Sequence, residues 1–217
     1  MPKDTFFNLP AEKRDSILNL AIEEFAWNDY KNASISNIVA RAGIAKGSLY
    51  QYFNDKRDLY LYLLQLAWEE KKRFLETSTP PDPSMHLFDY LRWMVQEGAR
   101  FELSNPLLAQ VASRALFSDR PFGDEPFNQM RKATLEFYDQ LILTGIDQGV
   151  IDSTIDTGLA IFLLSTLFNH FGEYLMEREQ VDIQQISEGA KEYRNVELQE
   201  LTEQLISILQ RGLAPQN

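Results

Sequence analysis

The chain contains no cysteine. Disulfides and thiolate metal sites are therefore excluded, and a reducing cytoplasm is the expected compartment. Histidine is scarce: His86 and His170 are the only two, 84 positions apart. That is far from the short spacing of zinc ligands, so no metal and no cofactor are expected. Neither a glycine-rich phosphate loop nor a Gly-x-Ser-x-Gly nucleophile elbow occurs. Acidic pairs such as Glu23-Glu24 and Glu69-Glu70 read as solvated faces, and no catalytic residues are expected. Long hydrophobic runs are missing too. The most apolar stretch, Gly158 to Phe168, lies within sixteen uncharged residues between Asp156 and Glu173. Spanning a bilayer takes roughly 20 apolar residues, so this stretch reads as a buried helix and no membrane partner is expected. The opening MPKDTFFNLP lacks the charged-then-apolar pattern of a signal peptide.

Positive charge is scarce overall but unevenly so. The net charge of the 217 residues is -11. Residues 1–73 hold 11 Lys/Arg against 10 Asp/Glu, whereas residues 74–217 hold 10 against 22. The acidity thus belongs to the C-terminal two thirds. A nucleic-acid partner is compatible with the N-terminal third and disfavoured for the rest, since phosphate binding needs local Lys and Arg.

Strict period-two alternation is also absent, whereas helical spacing recurs. The pattern predicts an all-α chain of about nine helices. The first runs from about Ala11 to Trp27, with Ile17, Leu18, Ala21, Ile22 and Phe25 on one face and Pro10 before it. A short second helix starts at the N-cap Ser34, buries Ile35, Ile38, Val39 and Ala42, and stops at Gly43. A third begins two residues later, with Leu49 and Phe53 inward, and Asn54-Asp55 recaps the chain into a long helix to about Thr77. STPPDPS, residues 78–84, is the clearest loop. Longer helices are expected over about 84–103, 106–118, 125–148, 156–178 and 195–211.

Two short helices joined through AGIAK, with a preceding helix to pack on, match a helix-turn-helix. In that arrangement the second short helix enters the DNA major groove. Lys46, Gly47 and Ser48 open it. Lys reads guanine edges, Ser donates or accepts, and Gly permits close approach. Tyr50 and Tyr52 cannot both face a core that takes Leu49 and Phe53, so at least one is expected outward, where a phenol can reach phosphate. Lys56, at the start of the next helix, is placed to hold a phosphate.

The run ASISNIVARAGIAKGSLYQYFNDKRDLY resembles the DNA-binding segment of TetR-type transcriptional regulators. The likeness extends upstream through RDSILNLAIEEFAWNDY and covers about residues 10–65. It implies an N-terminal three-helix DNA-binding domain (1–56) and a larger helical ligand-binding and dimerisation domain (57–217). It implies that Ser34 contacts phosphate, that Lys46, Gly47, Ser48 and Tyr50 face the groove, and that Tyr52 and Lys56 hold the backbone. Two departures stand out. Asn28-Asp29 replaces the family's turn glycine, and Ala45 stands where a capping Ser or Thr is usual, a loss of about 1 kcal/mol.

Further on, TGIDQGVIDSTID and LTEQLISILQRGL resemble the family's last two helices, which pair with their copies in a second subunit. Leu198, Leu201, Leu205 and Ile208 step 3, 4, 3 along one stripe, as a helix seam requires. On the apolar helix before them the resemblance implies Leu163, Leu167 and Phe171 as further dimer contacts. It also implies an inducer pocket among the central helices. Their bulk suits an apolar cavity: Phe88, Leu91, Met94, Phe101, Phe117, Met130 and Phe137. Arg92, Arg100 and Asn169 are polar groups able to orient a ligand. The expected partners are a double-stranded DNA operator, a small apolar or amphipathic inducer, and a second copy of the chain. The competing reading is a helical small-molecule carrier, or a protein-interaction scaffold, with a vestigial DNA-binding head.

Overall fold

The computed structural model describes residues 2–78, 85–115, 125–178, 180 and 196–215, with the side chains of 125–131 and 196–197 outside that description. Ten helices occur among the described residues: α1 (Asp4–Phe7), α2 (Ala11–Trp27), α3 (Ile35–Arg41), α4 (Lys46–Tyr52), α5 (Lys56–Thr77), α6 (Leu87–Ser104), α7 (Pro106–Arg114), α8 (Glu125–Asp147), α9 (Thr157–Arg178) and α10 (Val196–Leu213). They form two compact units. The first comprises Met1–Lys72 and Leu107–Phe122, the second Arg73–Pro106 and Gly123–Asn217.

In the first unit α2 packs on α3, α3 on α4 and α1 on α4. Ile17, Ala21 and Phe25 recur every four residues, and all three are buried, so α2 presents one apolar face. The Ser34 side chain accepts the Asn37 N–H and caps α3. The helix ends in a Schellman motif: Ile44 N–H donates to Val39 O at 3.0 Å and Gly43 N–H to Ala40 O at 3.3 Å. Gly43 has φ +63°, the left-handed conformation the motif demands of that position. This short stop sets the angle between α3 and α4.

The next junction is built from carboxylates. Asp55 Oδ1 accepts the Asp58 N–H at 2.8 Å, and Asp58 Oδ2 accepts the Asn54 backbone N–H at 2.9 Å. Burial pushes the Asp58 carboxyl up, but the Asn54 N–H and nearby positive charge, Lys3 included, outweigh it and hold the group below its ordinary range. A depressed carboxylate stabilises the fold above its unfolded pKa and loses that contribution as pH falls through the folded one. Asp58→Asn is therefore expected to unfold at lower temperature than the parent at neutral pH, with the gap narrowing below about pH 4. Thermal unfolding of both proteins across that range checks it, and a gap independent of pH would refute it.

In the second unit α6 lies against α8, α9 and α10, and α8 also packs on α9. The core joins Leu87, Phe88 and Leu91 of α6 to Tyr138 and Ile142 of α8, Ala160 and Leu164 of α9, and Ile206, Leu209 and Leu213 of α10. A second cluster joins Val95, Ala99, Phe171, Leu175 and Leu198. The end of α8 is packed tightly. A Cβ on Gly145 would lie 2.4 Å from Leu87 Cδ2 and 2.7 Å from Ile151 Cδ1. Gln148 Oε1 then accepts the Leu87 N–H at 2.9 Å, capping α6 where His86 provides no side-chain cap. Arg92 of α6 ties to Glu203 of α10 at 2.8 Å and to Asp89 one turn back.

Candidate DNA-binding surface

The surface is set by the loop before α3. Glu24, only 7% exposed, accepts the Ser34 N–H through Oε1 at 2.8 Å. The Asp29 carboxylate accepts both the backbone and the side-chain amide of Asn32. From the other side Lys56 Nζ donates to Lys31 O at 3.1 Å and Ala33 O at 2.7 Å, and lies 4.8 Å from the centroid of the Tyr30 ring. The α2–α3 loop is thereby fastened to both α2 and α5, and the start of α3 is held in place. Lys56 spends two of its three donors on this clamp.

On α4, Leu49 is buried, while Lys46, Gly47 and Tyr50 are exposed and Ser48 is half-buried. Lys46 Nζ donates to Ser36 Oγ of α3 at 3.3 Å, so the two helices share a polar outer edge. Nothing lies within 4 Å of a Cβ built on Gly47. Packing among the described residues does not demand glycine there. Ala45 precedes α4 and makes no side-chain cap bond.

Tyr50, 42% exposed, is the outward tyrosine, whereas Tyr52, for which the resemblance implied a backbone contact, faces inward. Tyr52 is 7% exposed, with its ring 5.9 Å from that of Phe6. Leu49 and Tyr52 lie three apart on one face of α4, and Phe53, the C-cap with φ -128° and ψ 147°, turns inward beside them. Both rings meet α1, which periodicity did not reveal. Phe6 is fully buried, 4.9 Å from the Phe53 ring and 6.0 Å from that of Tyr62.

A family model described as bacterial regulatory proteins, tetR family, matches residues 17–63. A second, the tetracyclin repressor-like C-terminal domain, matches residues 85–214. The chain belongs to the TetR family. It is a transcriptional regulator with an N-terminal helix-turn-helix DNA-binding domain. The crystal structure of a TetR family transcriptional regulator from Chloroflexus aurantiacus J-10-FL is 42% identical, covers 100% of both chains and superposes with a TM-score of 0.90. The fatty acid metabolism regulator protein of Bacillus subtilis (strain 168) is 24% identical over 81% of this chain and 90% of its own length. The Bacillus subtilis FadR structure in complex with stearoyl-CoA shares the fold, with TM-score 0.63 and 20% identity over 92% of this chain and 98% of that one.

For the ligand-binding half of this TetR-family chain, the residues named from sequence scatter. Phe88 and Leu91 are in the core, and Met94 packs against it. Phe101 is buried, with its ring 5.7 Å from that of Phe74. Asn169 is half-buried, while Phe137 is 42% exposed and lies on the surface of the chain. Arg92 is not a free ligand anchor, because Asp89 and Glu203 hold it. Arg100 pairs with Glu97, itself 6% exposed. Phe117 and the side chain of Met130 lie outside the described residues.

The dimer residues need a sharper correction. Leu198 is 1% exposed and Phe171 is 9% exposed, both inside the chain's own core. Leu167, Leu201 and Leu205 pack against that core as well. Of the seven, only Leu163 and Ile208 are exposed, at 38% and 67%. Leu159 and Phe162 on α9, not among the residues named from sequence, are 63% and 64% exposed. With Leu163 they fall at i, i+3 and i+4, on one face. A run apolar nearly all round hid which side was spare. Among the described residues α9 is also the one helix long and apolar enough to cross a membrane, with mean hydropathy 1.2. Its other side supplies Ala160 and Leu164 to the core.

Proposed function

We propose that this regulator is a cytoplasmic homodimeric repressor that reads a palindromic operator through α4 and releases it on binding an apolar or amphipathic small molecule. The observation that carries the reading is the exposed set Lys46, Gly47 and Tyr50, with half-buried Ser48 among them, on a helix whose inward side is Leu49 and Tyr52. Glycine is a poor helix former next to alanine, and Gly47 stands in the first turn of α4. Packing among the described residues gives no reason for glycine at 47, whereas a base edge or phosphate close to the helix supplies one. The two α4 helices of a dimer would meet half-sites about 34 Å apart, or a multiple of that. Ser34 and Lys56 then take phosphates beside them. Tyr52 is left with structural work and, at its rim, a backbone contact.

The first ligand to test is a long-chain acyl-CoA. Relatives named for fatty acid metabolism support that choice, as does the Bacillus subtilis FadR structure solved with stearoyl-CoA. A coupling of 1–3 kcal/mol, or about 5–150-fold in operator affinity, is the range such switches use. The experiment is a mobility shift on DNA selected from a random pool, repeated over a salt series and with stearoyl-CoA added. A specific complex that weakens with salt supports the reading, and its absence overturns it. Ligand binding without any change in DNA affinity would favour a carrier.

The contact roles separate by mutation. Lys56→Ala, which also releases the Lys31 and Ala33 carbonyls it holds, is expected to weaken all sequences and to flatten the salt dependence. Lys46→Ala and Ser48→Ala are expected to cost about 1–3 kcal/mol on the preferred site and to change which bases are preferred. A site-library measurement in which all three variants shift every sequence equally would refute the assignment.

A further inference from the structure

The helix that reads DNA is a weak helix by its own sequence. α4 has seven residues, well below the length at which an isolated helix persists in water. Its N-cap makes no side-chain bond and its last turn holds no basic residue. Gly47 adds backbone freedom that folding must remove. Such a helix is ordered by its surroundings.

Its far end is closed from the N-terminus of the chain. The last four carbonyls of a helix have no partner within it. Leu49 O accepts the Phe53 N–H of the C-cap at 2.9 Å. The other three are taken by two residues at the start of the chain. Lys3 Nζ donates to Tyr50 O at 2.9 Å, Thr5 Oγ1 donates to Gln51 O, and the Lys3 backbone N–H donates to Tyr52 O at 2.8 Å. Lys3 thus brings a cation to the negative end of the α4 dipole, where the helix has none of its own. Phe6, fully buried against Phe53 and Tyr52, anchors the segment.

We propose that residues 3–6 form a strap that orients the recognition helix, and that Lys3 and Thr5 are positioning residues for sequence-specific binding. The proposal rests on α4 being the DNA-facing helix. The strap replaces at the C-terminus the capping that Ala45 fails to give at the N-terminus. Loosening it frays the turn that carries Tyr50 and lets Lys46 and Ser48 wander. Base contacts depend on fixed geometry more than phosphate contacts do, so specific binding should suffer most.

Thr5→Val deletes one donor without changing charge, Lys3→Ala deletes another, and Thr5→Ser keeps the hydroxyl. Hydrogen exchange of the full-length protein without DNA is the first readout. The α4 amides of Thr5→Val/Lys3→Ala should exchange roughly tenfold faster, with those of α2 unchanged and Thr5→Ser like the parent. In the second readout, affinity for a site selected by the parent should fall about tenfold in the double variant and measurably in Thr5→Val. Binding of Thr5→Val to unrelated duplex at low salt should change less than about twofold. Parent-like exchange in α4, or equal losses on specific and unrelated DNA, overturns the strap. A parent that selects no sequence sinks the DNA reading instead, and the exchange result still decides whether the strap holds α4.

Discussion

Replacing Phe6 by alanine is expected to destabilise the N-terminal unit by about 3–5 kcal/mol, the range for large aromatic truncations in a core. The side chain is 0% exposed. It meets the rings of Phe53 at 4.9 Å, Tyr52 at 5.9 Å and Tyr62 at 6.0 Å. These belong to the end of α4, the turn after it and α5, so one ring holds three segments together. The cavity cannot close easily, because the backbone around it is fixed by Lys3, Thr5 and the Asn54–Asp58 bonds. For a unit of under 100 residues that loss lowers the unfolding temperature by roughly 15–30 °C. Trp27 and Trp68 lie in this unit, so tryptophan fluorescence on heating can report its transition. A shift under a few degrees would mean that α1 is marginal to the fold. Phe7, 49% exposed on the same short helix, is the control: Phe7→Ala should cost well under 1 kcal/mol.

The contrast between Phe6 and the rest of the unit shows what the sequence could convey. Long amphipathic segments announced themselves by period, and the helix-turn-helix by its punctuation at Ser34, Gly43 and Asn54-Asp55. α1 has four residues, barely one turn, so no periodicity exists to be read. Its bonds to α4 join residues 46 and 47 positions apart. Tyr52 sits three residues after Leu49, so helical spacing already puts it on the buried face; the backbone contact expected of it came from the family resemblance, and Phe6 of α1 is the ring it meets. Arg92 looked available because its partner Glu203 sits on another helix 111 positions away. Leu198 shows the deeper limit: a 3, 4, 3 stripe says that a face is buried, not whether the same chain or a second one buries it.

That limit decides the dimer test. Phe162→Glu with Ile208→Glu is expected to convert a dimer into monomers, since these side chains are 64% and 67% exposed in the single chain. A glutamate at either site costs the isolated fold little. In a two-fold dimer each substitution counts twice. Losing about 1.5–3 kcal/mol per buried apolar side chain then removes on the order of 6–12 kcal/mol, before any charge is desolvated. Operator affinity should drop more than about 100-fold, because the second half-site no longer benefits from the millimolar effective concentration that tethering gives. Analytical ultracentrifugation reads the first effect and a mobility shift the second, with helicity as the check on folding. A variant that stays dimeric refutes this face as the interface. Leu198→Ala is the counterpart. It should cost about 2–5 kcal/mol of core stability and leave the folded fraction dimeric. If it dissociated the dimer without loss of stability, the seam read from the sequence would be restored and the exposed face of α9 would need another occupant.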